Sequence, residues 1–351
     1  MTLIAAYKTE GVPVLLGDFL ITRDDSDIET HRKKIHKISS NFVVGWTGSL
    51  FTATRFYRDL YSAFENQIVT KNAVENFLVT YDTEIFIGKD LVILGWIAEE
   101  KENYCFRWRA DYSEMVFYDE QYEGFFHGSG SEFYENLLKE KGNINYGGQN
   151  DNYDKAIFTV LNEVSALTNA EYLTTNKSWR NRYGFAYEIL YLKDGGFKYV
   201  DDVFFTTIDI LVDDNGDPID PSVAQFLPEL DHLLYKYRNF EKFSLVQIFN
   251  PNNNSTDLCL INGITSGTED IQKFIEQGIK LLPFESFYKC FTYRILDIDK
   301  RFIDGGSVIL HGDSSLIEIL QTEKGTFFLL SPEFYKIIKR TTLKAKAKQR
   351  L

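Results

Sequence analysis

The stretch TLIAAYKTEGVPVLLGDFLIT, residues 2–22, decides the fold of the amino-terminal half. Its two apolar runs are typical of β-strands, and Glu10-Gly11 between them predicts a tight turn. The runs therefore predict an antiparallel pair that begins at the second residue of the chain. The next segments, KKIHKIS and NFVVGWTG, predict a second pair joined by Ser39-Ser40-Asn41.

The hydrophobic period changes after these four strands. Apolar and aromatic residues recur at helical spacing from Ser49 to Gln67, and a second helix is predicted over Asn72 to Phe86. Blocks of strands separated by blocks of helices favour antiparallel sheets with helices stacked outside them, an α+β arrangement. The later elements of this half are four strands (LVILGWIA, YCFRWRA, EMVFYD and YEGFFHG), helices over Ser131 to Lys141 and Tyr153 to Leu167, and a final strand pair (FAYEILYLK and FKYV).

Residues 201–351 differ in character and are predicted to form an additional carboxy-terminal α/β unit, so that residues 1–200 form one domain and 201–351 another. Turn-rich breaks at DDNGDP and PNNNS flank a predicted helix over Pro221 to Arg238. A strand (LCLING) and a helix over Glu269 to Leu281 are predicted next, followed by strands near FTYRILDI, SVILHG and LIEILQ. The basic run from Lys336 to Arg350 is interpreted as a solvated helix end or a frayed tail. The alternative is a docking tail for an acidic partner or a nucleic acid.

Composition excludes several classes of function. The net charge of −13 argues against general nucleic-acid binding, which needs a cationic surface. The sequence contains no apolar run near the roughly 18 residues that would span a membrane, and no signal-peptide pattern. Three widely separated cysteines form no C-x-x-C pair, which indicates a reduced, cytoplasmic protein. Nucleotide-binding and zinc-protease motifs are missing, and the five histidines have no metal-ligand spacing, so no cofactor or metal is expected.

The chain start carries the remaining chemistry. Removal of Met1 is expected because the residue after it, Thr2, is small. A terminal threonine has a hydroxyl nucleophile and an α-amine, and this amine, with an ordinary pKa of about 7.7–8.0, can serve as the base. A neighbouring ammonium would keep the amine neutral, a carboxylate would hold that ammonium, and a backbone N–H would stabilise the oxyanion.

The run of spacings from Thr2 to Gly48 resembles proteasome β-subunits and the peptidase subunit of the bacterial two-component ATP-dependent protease. These are N-terminal-nucleophile (Ntn) hydrolases, and the resemblance covers roughly residues 2–200. It implies a four-layer αββα sandwich of two antiparallel sheets. It also implies that Thr2 is nucleophile and base, that Lys34 tunes the amine, that Asp18 orients Lys34, and that the Gly48 N–H forms the oxyanion hole.

Further positions follow from the same resemblance. The segment GSGSEFYENLL, residues 128–138, is similar to the Gly-Ser-Gly loop and following helix of these families, which implies that Ser129 lies beside the nucleophile's amine. Thr22 matches a position whose backbone pairs with an extended substrate. A tryptophan in the position of Trp46 is more often a core residue. If Trp46 lined the first substrate subsite, its side chain would make that subsite narrower.

One segment departs from the family pattern. The families carry an acidic residue and a serine in a loop before the penultimate strand, whereas the loop in NKSWRNRYGFAYEIL, residues 176–190, has no carboxylate. Ser178 or Asn181 would fill part of that role. The expected function is a threonine-type peptidase or amidase that acts on a peptide or amide substrate as a homo-oligomer, with an ATPase as a possible partner and no membrane association. The alternatives are a non-catalytic scaffold or binding module, and a dimeric small-molecule amidase.

Overall fold

A computed structural model describes residues 2–22, 28–84, 90–112, 114–118, 124–139, 151–173, 184, 186–219, 235–240, 242–250, 255–264, 286–312, 316–322 and 325–349. Within these ranges the protein is mixed α+β, with mostly antiparallel sheets and five helices. The α+β class predicted from the sequence is therefore confirmed. No helix in the described ranges combines the length and the apolar character needed to cross a bilayer.

Twelve strands and four helices precede residue 200. The strands are β1 (Ile4–Thr9), β2 (Val12–Asp18), β3 (Leu20–Thr22), β4 (Ile28–His31), β5 (Ile35–Ser39), β6 (Phe42–Gly48), β7 (Leu91–Ala98), β8 (Asn103–Arg109), β9 (Glu114–Phe117), β10 (Gly124–His127), β11 (Tyr187–Lys193) and β12 (Gly196–Tyr199). The helices are α1 (Leu50–Phe64), α2 (Lys71–Thr80), α3 (Ser131–Lys139) and α4 (Asn152–Leu173). These counts refer to the described residues.

Eight strands and one helix follow in the described part of residues 201–351. The strands are β13 (Val203–Leu211), β14 (Tyr235–Asn239), β15 (Phe243–Asn250), β16 (Ser255–Asn262), β17 (Tyr288–Leu296), β18 (Phe302–His311), β19 (Ile317–Thr322) and β20 (Gly325–Leu330). The helix is α5 (Pro332–Gln349).

Two five-stranded antiparallel sheets stack face to face. The first sheet has the order β10-β1-β2-β11-β12 and the second has the order β5-β6-β7-β8-β9. Because side chains alternate along a strand, Ile4 and Ala6 of β1 enter the core between the two sheets, while Ala5 and Tyr7 enter the core on the opposite face. Helices α3 and α4 cover that opposite face, and α1 and α2 cover the second sheet. The order of layers is helices, sheet, sheet, helices.

Helix α1 buries one side against the second sheet. Its apolar residues Ala53, Phe56, Tyr57, Leu60 and Phe64 follow the 3, 4 and 7 spacing of a helical face and are all buried. Both early helices are shorter than predicted, since α1 ends at Phe64 and α2 ends at Thr80.

The third sheet lies on the far side of α4. Its order is β16-β15-β14-β13-β17-β18, and β13 and β17 form a parallel pair. Val203 and Tyr237 of this sheet share one buried cluster with Leu3 and Ala5 of the amino-terminal part. The boundary predicted near residue 200 falls between β12 and β13, and residues from both of its sides form that cluster.

The prediction of a helix over Pro221 to Arg238 is wrong at its end, because Tyr235–Asn239 forms strand β14 between β13 and β15. Tertiary pairing here overrides the local helical pattern. The predicted start of that helix, and the whole of the one over Glu269 to Leu281, lie outside the described residues. Strands β13, β15 and β20 were not anticipated.

The basic carboxy-terminal run forms most of helix α5. Phe334, Ile338 and Thr342 lie four residues apart, and all three are fully buried on the side of the helix that faces the third sheet. Lys339 contacts Asp217 at 2.7 Å. The run is therefore part of a packed helix and not a frayed tail, and Lys339 lies on the exposed face of that helix. A docking role for its charges stays a prediction.

Candidate active site

Thr2, Asp18 and Lys34 meet at one end of the first sheet. The Thr2 hydroxyl donates to Asp18 Oδ1 over 2.9 Å, and Lys34 Nζ reaches the same oxygen over 2.7 Å. The β1–β2 register pairs Ile4 with Gly17, which places the end of β2 beside the start of the chain. All three side chains are buried, with 3% of Thr2, 0% of Asp18 and 1% of Lys34 exposed.

Asp18 is the centre of this group. Besides Thr2 and Lys34, the Leu3 N–H donates to Oδ1 over 2.9 Å, and the Gly184 N–H donates to Oδ2 over 2.7 Å. Within the described residues the carboxyl group thus accepts from four donors, which is the pattern of an ionised carboxylate. Its position is fixed from β1, from the β5 side and from the segment that leads into β11.

Lys34 supplies the cation beside Thr2. Burial lowers the pKa of its ammonium from the ordinary value, and the adjacent Asp18 carboxylate opposes that shift. Its Nζ also donates to the Leu20 carbonyl, and its own carbonyl accepts the Trp46 N–H over 3.1 Å. The lysine is therefore held at both its backbone and its side chain, and its ammonium shares Asp18 Oδ1 with the Thr2 hydroxyl.

Two glycines have backbone conformations that require glycine. Gly48 has φ +108°, and a Cβ there would lie 1.6 Å from the Asp90 carbonyl oxygen. Gly128 has φ +105°, and a Cβ there would lie 1.7 Å from the Thr2 carbonyl oxygen. A side chain fits at neither position, so the backbone approaches Thr2 closely at Gly128, and Gly48 keeps the turn at the end of β6.

A hydrogen bond joins the neighbours of these glycines. Thr47 Oγ1 and His127 Nδ1 lie 2.8 Å apart, and β10 aligns His127 with Ile4. Burial lowers the pKa of His127, which favours the neutral ring. The bond ties the end of β6 to the sheet edge at which the chain begins. His127 is thus part of the surroundings of the site.

The other predicted site residues have varied positions. Ser129 is exposed in the turn after Gly128, the glycine whose backbone approaches the Thr2 carbonyl. Thr22 pairs with Ile28 of β4 through its backbone. Trp46 is 2% exposed, packs in the core under α1 and donates to the Lys33 carbonyl over 3.3 Å. The core encloses its indole, and a substrate-binding role for Trp46 stays a prediction.

Sequence reasoning missed two contributors from the segment without an acidic loop residue. Gly184 donates its N–H to Asp18, and its carbonyl accepts the Leu20 N–H over 3.2 Å. Glu188, in strand β11, lies beside Lys33. A lone glycine and a strand glutamate carry no motif that would have revealed these contacts. Ser178 and Asn181 lie outside the described residues.

No family model matches this chain, and no curated protein matches it either.

Two histidines near the site, the partly buried His31 and the buried His36, predict acid sensitivity. Burial first, and then the nearby lysine charge, lowers the pKa of His31 to about 4 and of His36 to about 3. Below the ordinary value of about 6.5 the unfolded chain binds protons that the folded chain does not, so stability falls with decreasing pH by about 1.4 kcal/mol per unit for each histidine until its folded pKa is reached. Urea unfolding at pH 7, 5.5 and 4.5 measures this slope.

His36→Gln is expected to make that slope shallower, because the fully buried one of the two imidazole rings is gone. His311→Gln is the matched control, since His311 is exposed. Equal slopes in the wild type and His36→Gln would contradict the prediction.

Proposed function

We propose that this chain is a threonine-type Ntn hydrolase, a peptidase or amidase with an αββα sandwich and Thr2 as its nucleophile. The supporting observation is that the Thr2 hydroxyl and the Lys34 ammonium meet on the same buried oxygen of Asp18. Thr2 lies just before β1, Asp18 is the last residue of β2, and Lys34 lies just before β5. If Asp18 served only to stabilise the core, its contact with the Lys34 cation would be enough. A contact with the second residue of the chain would not be needed.

The reaction begins when Met1 is removed and Thr2 gains a free amine. The amine takes the hydroxyl proton, and the Thr2 oxygen attacks the amide carbonyl carbon to form a tetrahedral intermediate. The Gly48 N–H donates to the negatively charged oxygen. The protonated amine then gives its proton to the leaving nitrogen, the C–N bond breaks, and an ester to Thr2 remains. Water, deprotonated by the same amine, hydrolyses that ester and regenerates Thr2.

The remaining site residues position the nucleophile. Asp18 holds Lys34 near the amine, where the positive charge lowers the amine's pKa and keeps it unprotonated at neutral pH. Gly184 occupies the second oxygen of Asp18 with a backbone donor. This contact orders the carboxylate from the segment in which the family pattern has an acidic residue. A homo-oligomeric assembly and an ATPase partner are further predictions from the family resemblance.

An α′,β′-epoxyketone peptide tests the proposal sharply. Its ketone reacts with a hydroxyl and its epoxide with an amine, so a stable six-membered ring forms only on a residue that carries both groups. We expect intact mass to show loss of Met1, and peptide mapping to place the ring adduct on Thr2. A mature protein that retains Met1, or that forms no adduct, would favour the scaffold alternative instead.

A further inference from the structure

Lys33, the residue before Lys34, is buried in a second ion pair. Lys33 Nζ lies 2.6 Å from Glu188 Oε1, and 0% and 1% of the two side chains are exposed. Adjacent residues of an extended chain project in different directions, so Lys34 contacts Asp18 while Lys33 contacts Glu188. The Lys33 ammonium also lies 4.2 Å from the centre of the Tyr199 ring.

The third sheet completes the surroundings of this ion pair. Three groups of this sheet donate hydrogen bonds to Glu188 Oε1. They are Tyr237 Oη at 2.8 Å, Ser244 Oγ at 2.9 Å and Asn239 Nδ2 at 2.6 Å. Lys33 Nζ in turn donates to Ser244 Oγ over 3.3 Å. Strands β14 and β15 therefore supply three polar groups to an ion pair whose charges lie at the start of β5 and on β11.

The backbone of Lys33 is held as firmly as its side chain. Its N–H donates to the Asn262 carbonyl over 3.1 Å, and Arg32 forms a parallel bridge with Asn262, the last residue of β16. Its carbonyl accepts from His36 Nε2 over 3.0 Å and from Trp46 Nε1 over 3.3 Å. Lys33 is thus fixed at its N–H, carbonyl and ammonium groups, and the next residue is Lys34.

The geometry points to Lys33 as a positioning residue that transmits the order of the third sheet to Lys34. On the proposed function, which this inference presupposes, the carboxy-terminal part of the chain supports the active site by holding the Lys33-Lys34 dipeptide, so that the Lys34 ammonium stays on Asp18 beside Thr2. This gives residues 201–351 a role that neither the motifs nor the family resemblance supplied.

Lys33→Met tests the inference, because methionine keeps an unbranched apolar chain and removes the cation. The first readout is the pH dependence of epoxyketone labelling. If the Lys34 ammonium moves away from Thr2, the Thr2 amine returns toward its ordinary pKa of about 7.7–8.0, and labelling below the midpoint slows about tenfold for each unit of the shift. We expect a raised midpoint, with a rate that recovers at high pH.

The second readout does not need activity. The pKa of Lys34 is followed by NMR of ¹³Cε-labelled lysine, and its signal is assigned by comparison with Lys34→Arg. The titratable groups that neighbour Lys34 are the Asp18 carboxylate, His31 and the Thr2 amine. Burial lowers this pKa in the wild type. We expect it to rise toward the ordinary lysine value in Lys33→Met, because the displaced ammonium becomes better solvated.

Lys236→Met is the matched control. Lys236 is another buried lysine, 3% exposed, and its Nζ pairs with Asp202 at 2.9 Å in the same third sheet, away from the Lys33-Lys34 dipeptide. This variant is expected to lose stability while the labelling midpoint and the Lys34 pKa stay at their wild-type values. Ser244→Ala removes one hydroxyl and leaves the Lys33–Glu188 pair, so it gives a smaller shift of the same sign if Lys33→Met does not fold.

The outcomes separate the two proposals. If the wild type is not labelled at Thr2 but the Lys34 pKa moves in Lys33→Met and not in Lys236→Met, the proposed function fails and the positioning role stands. If the wild type is labelled and neither readout changes in folded Lys33→Met or Ser244→Ala, the positioning role is overturned. Equal shifts in Lys33→Met and Lys236→Met would also overturn it, since they would report general loosening of the third sheet.

Discussion

Thr2→Ala is expected to lower amide hydrolysis by at least about 10³-fold, because it removes the oxygen that forms the acyl bond in the proposed mechanism. The effect on stability is expected to be small. The variant loses one hydrogen bond, from the Thr2 hydroxyl to Asp18, and such a bond contributes about 1 kcal/mol. The Leu3 N–H, Gly184 N–H and Lys34 Nζ still satisfy the carboxylate. Turnover of a fluorogenic peptide and urea unfolding measure the two effects separately.

Two further variants make this result specific. Thr2→Ser keeps the hydroxyl and is expected to retain measurable turnover. Thr9→Ala removes a buried threonine from the far end of strand β1, where its β2 partner is Val12, and is expected to leave turnover unchanged. Turnover in Thr2→Ala equal to that of the wild type would assign the hydrolysis to another nucleophile.

The Asp18–Lys34 contact was predictable because it depends on local geometry. A tight turn at Glu10-Gly11 fixes the β1–β2 register, so the residue at the end of β2 lies beside the start of β1. Lys34 is only 16 residues from Asp18, and it enters the predicted second strand pair. Strand alternation and a family spacing were therefore enough to bring these residues together.

The Lys33–Glu188 pair could not be predicted from the sequence. Lys33 and Glu188 are 155 residues apart, and Ser244 lies a further 56 residues along the chain from Glu188. No local period encodes which distant strand covers a charged residue. The basic sequence HRKK reads as a solvated charged run, yet the fold buries both of its lysines because each has a carboxylate partner.

The third sheet was predicted less completely for a related reason. Strand β13 is buried along almost its whole length, so its sequence VFFTTIDIL lacks the alternation of a half-exposed strand. Its parallel partner β17 begins 85 residues later, at Tyr288 opposite Val203. Pairings of this kind are set by packing on α4 and on neighbouring strands, which local patterns do not record.

Asp18→Asn is expected to reduce both stability and activity. Removing one charge of a buried ion pair leaves the other uncompensated and costs about 3–5 kcal/mol, because Lys34 is fully buried in this setting. An amide also has one acceptor oxygen where the carboxylate has two, so it cannot serve the Thr2, Leu3, Lys34 and Gly184 donors together. We expect loss of epoxyketone labelling, since the ammonium no longer has a fixed place beside Thr2.

The pH dependence of the stability lost in Asp18→Asn identifies the cause of that loss. Without the Asp18 charge, the pKa of Lys34 in the folded protein falls further below the unfolded value of about 10.4, because only the desolvation effect remains. Between those two values the unfolded chain binds the proton and the folded chain does not, so each unit of rising pH restores stability to the variant. The difference from the wild type in urea unfolding is therefore expected to be smaller at pH 10 than at pH 7.

Asp217→Asn tests whether the loss of stability in Asp18→Asn comes from the burial of the ion pair or from charge pairing alone. Asp217 also contacts a lysine, Lys339, at 2.7 Å, but about half of each side chain is exposed. Solvent screening limits such a pair to at most about 1 kcal/mol, so this variant is expected to stay close to the wild type at both pH values. If Asp18→Asn were as stable as Asp217→Asn, the buried carboxylate would not be holding a charged lysine, and the amine of Thr2 would lack the cation that the proposed chemistry requires.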